Sequence, residues 1–515
     1  MINCVFNPEK TRERLVFKSF IFGVASFLTF ALVSPAAIAQ RLAPATTEQF
    51  YSGSATEQAW SDENYDQLLL AIAALDAHGL NPEHYGLSRL QAAREDRTGR
   101  DRLATSAWLL AASHLLYGKT DAVSLEPHWT VVSRQSDIVS ALRTALSNGS
   151  VSRSLNAFAP VQPIYRAMQE ALAVLKIQAE TSVAIVAEGE LLRKGASGTR
   201  VDQLRTRLIQ MGWLSQEESS ATTFDDALFN AVKAFQEDAE LDADGIVGPA
   251  TIRALNRGPE EQINQLRANM ERFRWLPDDL GRRHLRANIA SFDVTAFENG
   301  SAARTYLTIV GKTYRSTPVF SDEIEYIDFN PWWETPDSLA RSDKLPMFQR
   351  DPASVTSLGF QILDRTGARV PSEQIDWNSL SRSNFPYRIR QAPGPQNALG
   401  QVKIMFPNPH NVYIHDTPSR GLFSQRQRAF SSGCLRTQNP IDLSKWLLEE
   451  TPDWTPERVD EAVASGRETR ARLTNKVPVH ILYMTVVSDG ADGVRYLDDI
   501  YNRDPAVLAA LKATP

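Results

Sequence analysis

Cysteine is almost missing from the chain: Cys4 and Cys434 are the only two in 515 residues. A fold stapled by disulfides is therefore excluded. Excess positive charge is missing as well. A formal net charge of -6 and a pI near 5.9 leave no footprint for a nucleic-acid partner, and none is expected. His78, His84, His114 and His128 fall at no metal-ligand spacing, so neither a zinc set nor any other cofactor is expected. Paired carboxylates in a glycosidase context are not found. Beyond the first forty residues no run is long and apolar enough to span a bilayer.

What is present begins with a patterned N-terminus. Lys10, Arg12, Arg14 and Lys18 precede an apolar run from Phe20 to Val33, and Ala37-Ile38-Ala39 follows. This charged, greasy, small-residue order predicts a secretory signal peptide at 1–39, and with it a periplasmic protein; the rival reading is an uncleaved inner-membrane anchor. Cys4 lies inside that segment, so the exported chain would keep one thiol. An unpaired thiol in an oxidising compartment is at risk of oxidation and needs a chemical reason to be there. A buried cysteine acting as a small hydrophobe is the bland alternative.

The remainder divides by pattern into a multidomain α+β chain. Residues 47–185 are rich in Ala and Leu at helical spacing, as in Tyr65-Asp-Gln-Leu-Leu-Leu-Ala-Ile-Ala-Ala-Leu, and predict a helical N-terminal domain. Residues 192–256 predict a small three-helix module punctuated by glycine. Val201, Leu204 and Leu208 make one apolar face, Ala231, Val232 and Phe235 another, and Gly245 to Pro249 turn the chain into a third helix. After a polar helix at 260–274, residues 260–505 read as a strand-dominated domain, with strands over Leu285–Val294, Arg304–Val310, Tyr413–His415 and Val479–Val487. An insertion at about 338–390 lacks clear periodicity and carries Pro346, Pro352, Pro371 and Pro386. An irregular stretch of this length predicts a lid or binding loop, with Trp377 and Phe385 as apolar cover and Arg382 and Arg388 for carboxylates; a plain surface excursion is the rival reading.

The chemistry concentrates in Tyr413-Ile-His415-Asp416-Thr-Pro and Ser431-Ser432-Gly433-Cys434-Leu435-Arg436. A cysteine nucleophile needs a base for its proton and a cation near its thiolate, and histidine supplies both near neutral pH. His415 stands nineteen residues before Cys434, room for a strand, a loop and a return. The small residues Ser432 and Gly433 permit close backbone approach, so the amides around Gly433 and Cys434 are candidates to face an oxyanion. Asp416 is a candidate third member, although adjacent strand residues point to opposite faces, which favours a backbone carbonyl as the orienter of the imidazole. Arg436 suits either a substrate carboxylate or a loop brace. Tyr413 shares the face of His415, as pocket wall or core filler.

Histidine, a loop of this length and Ser-Ser-Gly-Cys-Leu-Arg resemble the active-site motif of the YkuD-type L,D-transpeptidases. Met270-Glu-Arg-Phe-Arg274-Trp275, Thr317-Pro-Val-Phe, Phe329-Asn-Pro-Trp332 and Gln391-Ala-Pro-Gly394-Pro-Gln-Asn397 look like the large periplasmic YcbB-like branch, and Trp332 and Asn397 thereby become candidate substrate contacts with Tyr413. Ser432 stands where many members have histidine. Residues 192–256 resemble the peptidoglycan-binding module found beside cell-wall enzymes. The resemblance implies a scaffold domain, a wall-binding module and a catalytic domain with an inserted lid. It also implies acyl transfer through a Cys434 thioester, joining diaminopimelate residues of tetrapeptide stems and releasing D-alanine. Peptidoglycan stems, glycan strands and other wall-synthesis enzymes are the implied partners. An L,D-carboxypeptidase uses the same thioester, and a non-catalytic wall-binding protein is the alternative from another class.

Overall fold

The computed structural model describes residues 47–52, 58–97, 99–180, 184–217, 222–239, 241–490 and 493–514. The expected leader at 1–39 lies outside them. Ala39–Pro515 form one compact unit. Among the described residues, no helix is long and apolar enough to cross a membrane.

The N-terminal helices do not keep a core to themselves. Leu68, Trp108, Tyr165 and Leu172 belong to the same continuous apolar core as Ile263, Leu266, Leu285 and Ile327 of the strand-rich part. The joint is the helix Pro259–Arg274, packed against the helices Pro163–Ala179 and Asp504–Lys512. Its sequence reads as polar, yet Gln265, Asn269, Glu271, Arg272 and Arg274 are all buried. They are buried because each is paired. Arg274 donates to Glu271 Oε2 from Nε and Nη2 at 2.9 and 2.7 Å, and to the His78 carbonyl and Tyr165 Oη at 2.9 Å each. Glu271 Oε1 accepts from the Thr120 amide and hydroxyl at 2.5 and 2.7 Å. Asn269 Nδ2 donates to Thr485 Oγ1 at 2.7 Å, and Arg272 donates to Asp504 at 2.5 Å.

The three-helix module has a core of its own, built by Val201, Leu204, Leu208, Leu228, Val232, Phe235 and Ile252. Its helices are Thr199–Gln210, Asp226–Asp238 and Pro249–Asn256. Gln236 pins the turn between the last two, accepting from the Gly245 amide at 2.8 Å and donating to the Ile246 carbonyl at 2.9 Å. Gly245 has φ +72°, and a Cβ there would sit 2.2 Å from the Phe229 ring, so only glycine fits.

The strand-rich part is a closed sheet. Its strands are β1 (Arg283–Asn288), β2 (Asp293–Glu298), β3 (Ser301–Gly311) and β4 (Phe320–Phe329), which come before the insertion. After it come β9 (Val402–Met405), β10 (Ile414–His415), β11 (Ala429–Ser431), β12 (Leu435–Thr437) and β13 (Thr469–Leu482), leaving β5 to β8 for the insertion. The order runs β3-β12-β10-β9-β4-β13-β1-β2, β2 pairs back onto β3, and β11 runs parallel to β3. Leu285–Val294, expected as one strand, is two: the chain turns at Ile289–Phe292, where Phe292 has φ +55°, and returns antiparallel. Val479–Val487, expected as one final strand, is also divided: β13 begins ten residues before Val479, carries an irregularity between Arg472 and Val477 and ends at Leu482, while Val486–Ser488 pairs with Val494–Tyr496 in a separate sheet.

The inserted segment is not irregular. Trp333–Glu334 (β5), Phe360–Leu363 (β6), Arg369–Val370 (β7) and Arg388–Gln391 (β8) form a four-stranded antiparallel sheet in the order β5-β8-β6-β7. Short helices and a π-helical turn at Ala340–Lys344 lie against it. Trp377 and Phe385, expected as cover for substrate, are 4% exposed in this subdomain's own core, packed with Phe348, Phe360 and Ile389. Arg388 pairs with Glu334 at the surface. Strands of two to four residues are too short to show a period of two, which is why the sequence hid them.

Candidate active site

β10 lies between β9 and β12, antiparallel to the first and parallel to the second. Ile404 on β9, Ile414 on β10 and Leu435 on β12 face the core without exposure. Side chains alternate across a sheet, so the neighbours Lys403, His415 and Arg436 share the opposite face. They form a row, since His415 is registered against Lys403 on one side and Arg436 on the other. One step back along the parallel pair, Tyr413 stands beside Cys434, and the Leu435 amide donates to the Tyr413 carbonyl at 3.1 Å. Cys434 and His415 thus sit diagonally on one face of two adjacent strands.

The nucleophile loop is held by its own hydroxyls. Ser431 Oγ donates to the Cys434 carbonyl at 2.6 Å and accepts from the Gly433 amide at 3.1 Å. Gly433 has φ +118°, a conformation that favours glycine, and its carbonyl accepts from Thr317 Oγ1 at 2.9 Å. The Gly433 amide, a candidate for the oxyanion, is therefore committed to Ser431. Among the described residues no hydrogen bond engages the Cys434 amide, which leaves it as the candidate donor. Ser432 is exposed and accepts from Arg315 Nη1 at 3.1 Å, bracing the loop from outside.

His415 is buried, and its Nδ1 lies 2.6 Å from the Asp416 carbonyl. A carbonyl only accepts, so Nδ1 carries the proton and the lone pair of the neutral ring is on Nε2. The Asp416 carboxylate, a candidate orienter, is elsewhere. It accepts from the Gln401 amide at 2.9 Å and from Arg420 at 3.0 Å, pointing to the other face as strand alternation requires. Burial, aided by the Arg436 charge, drives the His415 imidazole down to about 3. Burial also pushes the half-buried Cys434 thiol up, with Tyr413, Lys403 and Arg436 opposing. At neutral pH the two rest as neutral thiol and neutral imidazole, so proton transfer must accompany attack.

Tyr413 meets His415 edge to face with ring centroids 5.5 Å apart, and it packs against the inserted subdomain's core. Asn397, a candidate substrate contact, is occupied within the protein, and the ring of Trp332 carries a cation. Trp332 lies under Arg390 at 4.4 Å, and it is the next residue, Trp333, that turns into the core against which Tyr413 packs. Asn397 is 1% exposed, with Nδ2 donating to the carbonyls of Pro331, Gln391 and Ala392 and Oδ1 accepting from the Leu399 amide. All its capacity goes to the base of the insertion.

The sequence profile of the L,D-transpeptidase catalytic domain (YkuD) matches residues 282–460, and that of a peptidoglycan binding domain matches 197–255. Residues 282–460 are thus similar to the catalytic domain of the YkuD L,D-transpeptidases. A scaffold-domain profile matches residues 45–172. A Haemophilus influenzae protein named as an L,D-transpeptidase is 37% identical over 252 residues, 49% of this chain and 50% of that protein. The N-acetylmuramoyl-L-alanine amidase CwlL of Bacillus licheniformis is 39% identical over 82 residues, 16% of this chain and 23% of its own. The chain therefore spans half or less of the length of these relatives. A solved L,D-transpeptidase from Stackebrandtia nassauensis aligns over 58% of this chain and 97% of its own, at 11% identity and a TM-score of 0.21, too low to carry an argument.

The motif reading of the sequence missed Lys403, Lys344, Arg315 and Thr317. Lys403 places Nζ 4.5 Å over the Tyr413 ring. Lys344, on the π-helical turn of the insertion, lies 5.1 Å over Trp333 and 4.9 Å over Phe360. Burial lowers both ammonium groups and the Arg436 guanidinium. A signal for Lys403 existed: it alternates with Val402 and Ile404 on a strand, so it stands on the face opposite the core. Lys344 reaches the site only through a tertiary fold that local pattern does not encode.

Proposed function

We propose that the chain catalyses L,D-transpeptidation of peptidoglycan through a Cys434 thioester. One observation carries the reading: Cys434 and a His415 whose Nδ1 proton is fixed on the Asp416 carbonyl share one face of two adjacent strands. His415 Nε2 takes the thiol proton as sulfur attacks the carbonyl of the L-centre of diaminopimelate in a tetrapeptide stem. The Cys434 amide meets the oxyanion. The C–N bond breaks, D-alanine leaves with the proton held by His415, and the thioester remains. The amine of a second stem then attacks the thioester, giving its proton to His415. The thiolate departs and recovers that proton, and a bond joins two diaminopimelate residues. Water in place of the amine gives the L,D-carboxypeptidase reaction from the same thioester. We further infer export directed by residues 1–39, which N-terminal sequencing of the exported protein would check, and retention on glycan strands by the 197–255 module.

The test is mass spectrometry of the purified protein with a disaccharide-tetrapeptide. A cross-linked dimer supports the proposal, a tripeptide without dimer turns it to the carboxypeptidase, and unchanged substrate with no adduct on Cys434 overturns it.

A further inference from the structure

Lys403 and Arg436 on the nucleophile side of the sheet, and Lys344 of the insertion, close enough to Arg436 for the two charges to repel, have no hydrogen-bonded acid among the described residues. Arg436 makes no side-chain hydrogen bond or ion pair among the described residues, and its Nε is buried without a partner. Lys403 and Lys344 likewise have no hydrogen-bond acceptor among the described residues; each ammonium rests on aromatic faces. The nearby acids are spent. Asp328, registered against Lys403, is held by Arg470 at 2.6 and 3.0 Å. Asp343, next to Lys344, is held by Arg315 at 3.0 and 3.1 Å. Unpaired cations taken out of water destabilise a fold, so an arrangement that keeps three of them together is built for an anion brought from outside. Two come from the barrel and one from the insertion, so the anion would be held between the two bodies.

We propose that Lys344, Lys403 and Arg436 form a carboxylate-binding site beside Cys434, closed by the inserted subdomain, which holds a free carboxylate of the donor stem. The site rests on the transfer reading above for its ligand, but not for its charge. A stem offers two carboxylates near the scissile bond: that of the terminal D-residue and that on the D-centre of diaminopimelate. The planar guanidinium of Arg436 suits a bidentate carboxylate, and the two ammonium groups add charge without geometry.

The charge is tested first by alkylation, using a Cys4→Ser chain so that Cys434 is the only thiol. Anionic iodoacetate and neutral iodoacetamide compete for it. The ratio of their rates should exceed that of a cysteine peptide by about tenfold, as for an anion drawn to a cationic cleft. It should fall towards the peptide value in Lys344→Met and Lys403→Met and recover in Lys344→Arg. A ratio equal to the peptide's in the parent chain, or unmoved by both lysine variants, overturns the site. The second arm uses tetrapeptides amidated at one carboxylate or the other. The amide that raises KM in the parent, and no longer does so in Lys344→Met, identifies the carboxylate held; no effect of either amide overturns the assignment to the stem. Anion-selective alkylation without any transfer would leave the charged site standing and sink the transfer reading, while transfer without anion selectivity would do the reverse.

Discussion

Two clusters of charge lie in the same compact unit, one buried and one half-buried, and they are opposite in kind. Around the helix Pro259–Arg274, Glu271 and Arg274 are both without exposure and every charge has its partner. On the outer face of β9, β10 and β12, Lys403 and Arg436 have no hydrogen-bonded acid among the described residues, and a neutral imidazole lies between them. The first pattern joins structure, because removing either member strands a charge in an apolar core. The second carries a standing cost of desolvation that only a ligand can offset, and such imbalance marks chemistry rather than scaffolding.

The largest effect expected on the active-site side is total. Cys434→Ala should fold with an unchanged thermal midpoint and form no covalent adduct with tetrapeptide or a carbapenem; an adduct at another residue would sink the assignment. On the scaffold side, Glu271→Gln leaves the Arg274 charge buried with neutral partners only, and should cost about 3–5 kcal/mol in denaturant unfolding. Activity per folded molecule should persist. Arg436→Met should do the converse, changing stability by less than about 1.5 kcal/mol in either direction while abolishing efficient acylation. Equal stability losses in the two variants would erase the distinction between the clusters.

Acid should separate them further. Burial holds His78 and His480 down at about 4 and His415 at about 3, against 6.5 for the unfolded imidazole. Below pH 6.5 the unfolded chain takes up protons that the folded chain refuses, so stability is complete above that pH and falls as the solution is acidified towards 4. Each group contributes up to about 1.4 kcal/mol per pH unit in that window. Urea midpoints measured at pH 7.5, 6.0 and 5.0 should decline, and His415→Asn should make the decline shallower. A flat profile would mean that these imidazoles are open to protons in the folded state.

The same contrast explains what could be read from the sequence. That Cys434 and His415 come together was legible because they stand in a short motif, a local fact, and strand alternation correctly withheld the Asp416 carboxylate from the ring. The helices of the 192–256 segment were legible from their period and glycine turns. Asn397 misled because a motif residue that braces a loop looks, in one dimension, like one that binds substrate. The burial of the helix after residue 258 was invisible, since its polar residues are satisfied by Thr120, Tyr165, Thr485 and Asp504, far away in sequence. The insertion was misread as irregular because its order comes from a core of aromatic residues spread between Trp333 and Ile389.

That core also changes how the insertion should be tested. Replacing residues between Pro352 and Pro386 with a flexible linker would remove Phe360, Trp377 and Phe385 and unfold the subdomain, so lost activity would say nothing about closure. Arg315 offers a gentler cut. Its guanidinium bridges Asp343 and Ser342 of the insertion to Ser432, two residues before the nucleophile. The ion pair is substantially exposed, 31% and 44% by side chain, so its stability contribution is at most about 1 kcal/mol. Arg315→Gln should therefore leave the thermal midpoint nearly unchanged. If the insertion shields the thioester from water, loosening this bridge should raise the ratio of tripeptide to cross-linked dimer by about two- to fivefold at similar acylation rate, because hydrolysis gains from solvent entry and transfer does not. Asp343→Asn, which cuts the bridge from the other side, should reproduce the shift, and the double variant should add little to either. Independent, additive effects would show that the two residues act separately. An unchanged product ratio in all three variants would mean that the insertion binds substrate without controlling water.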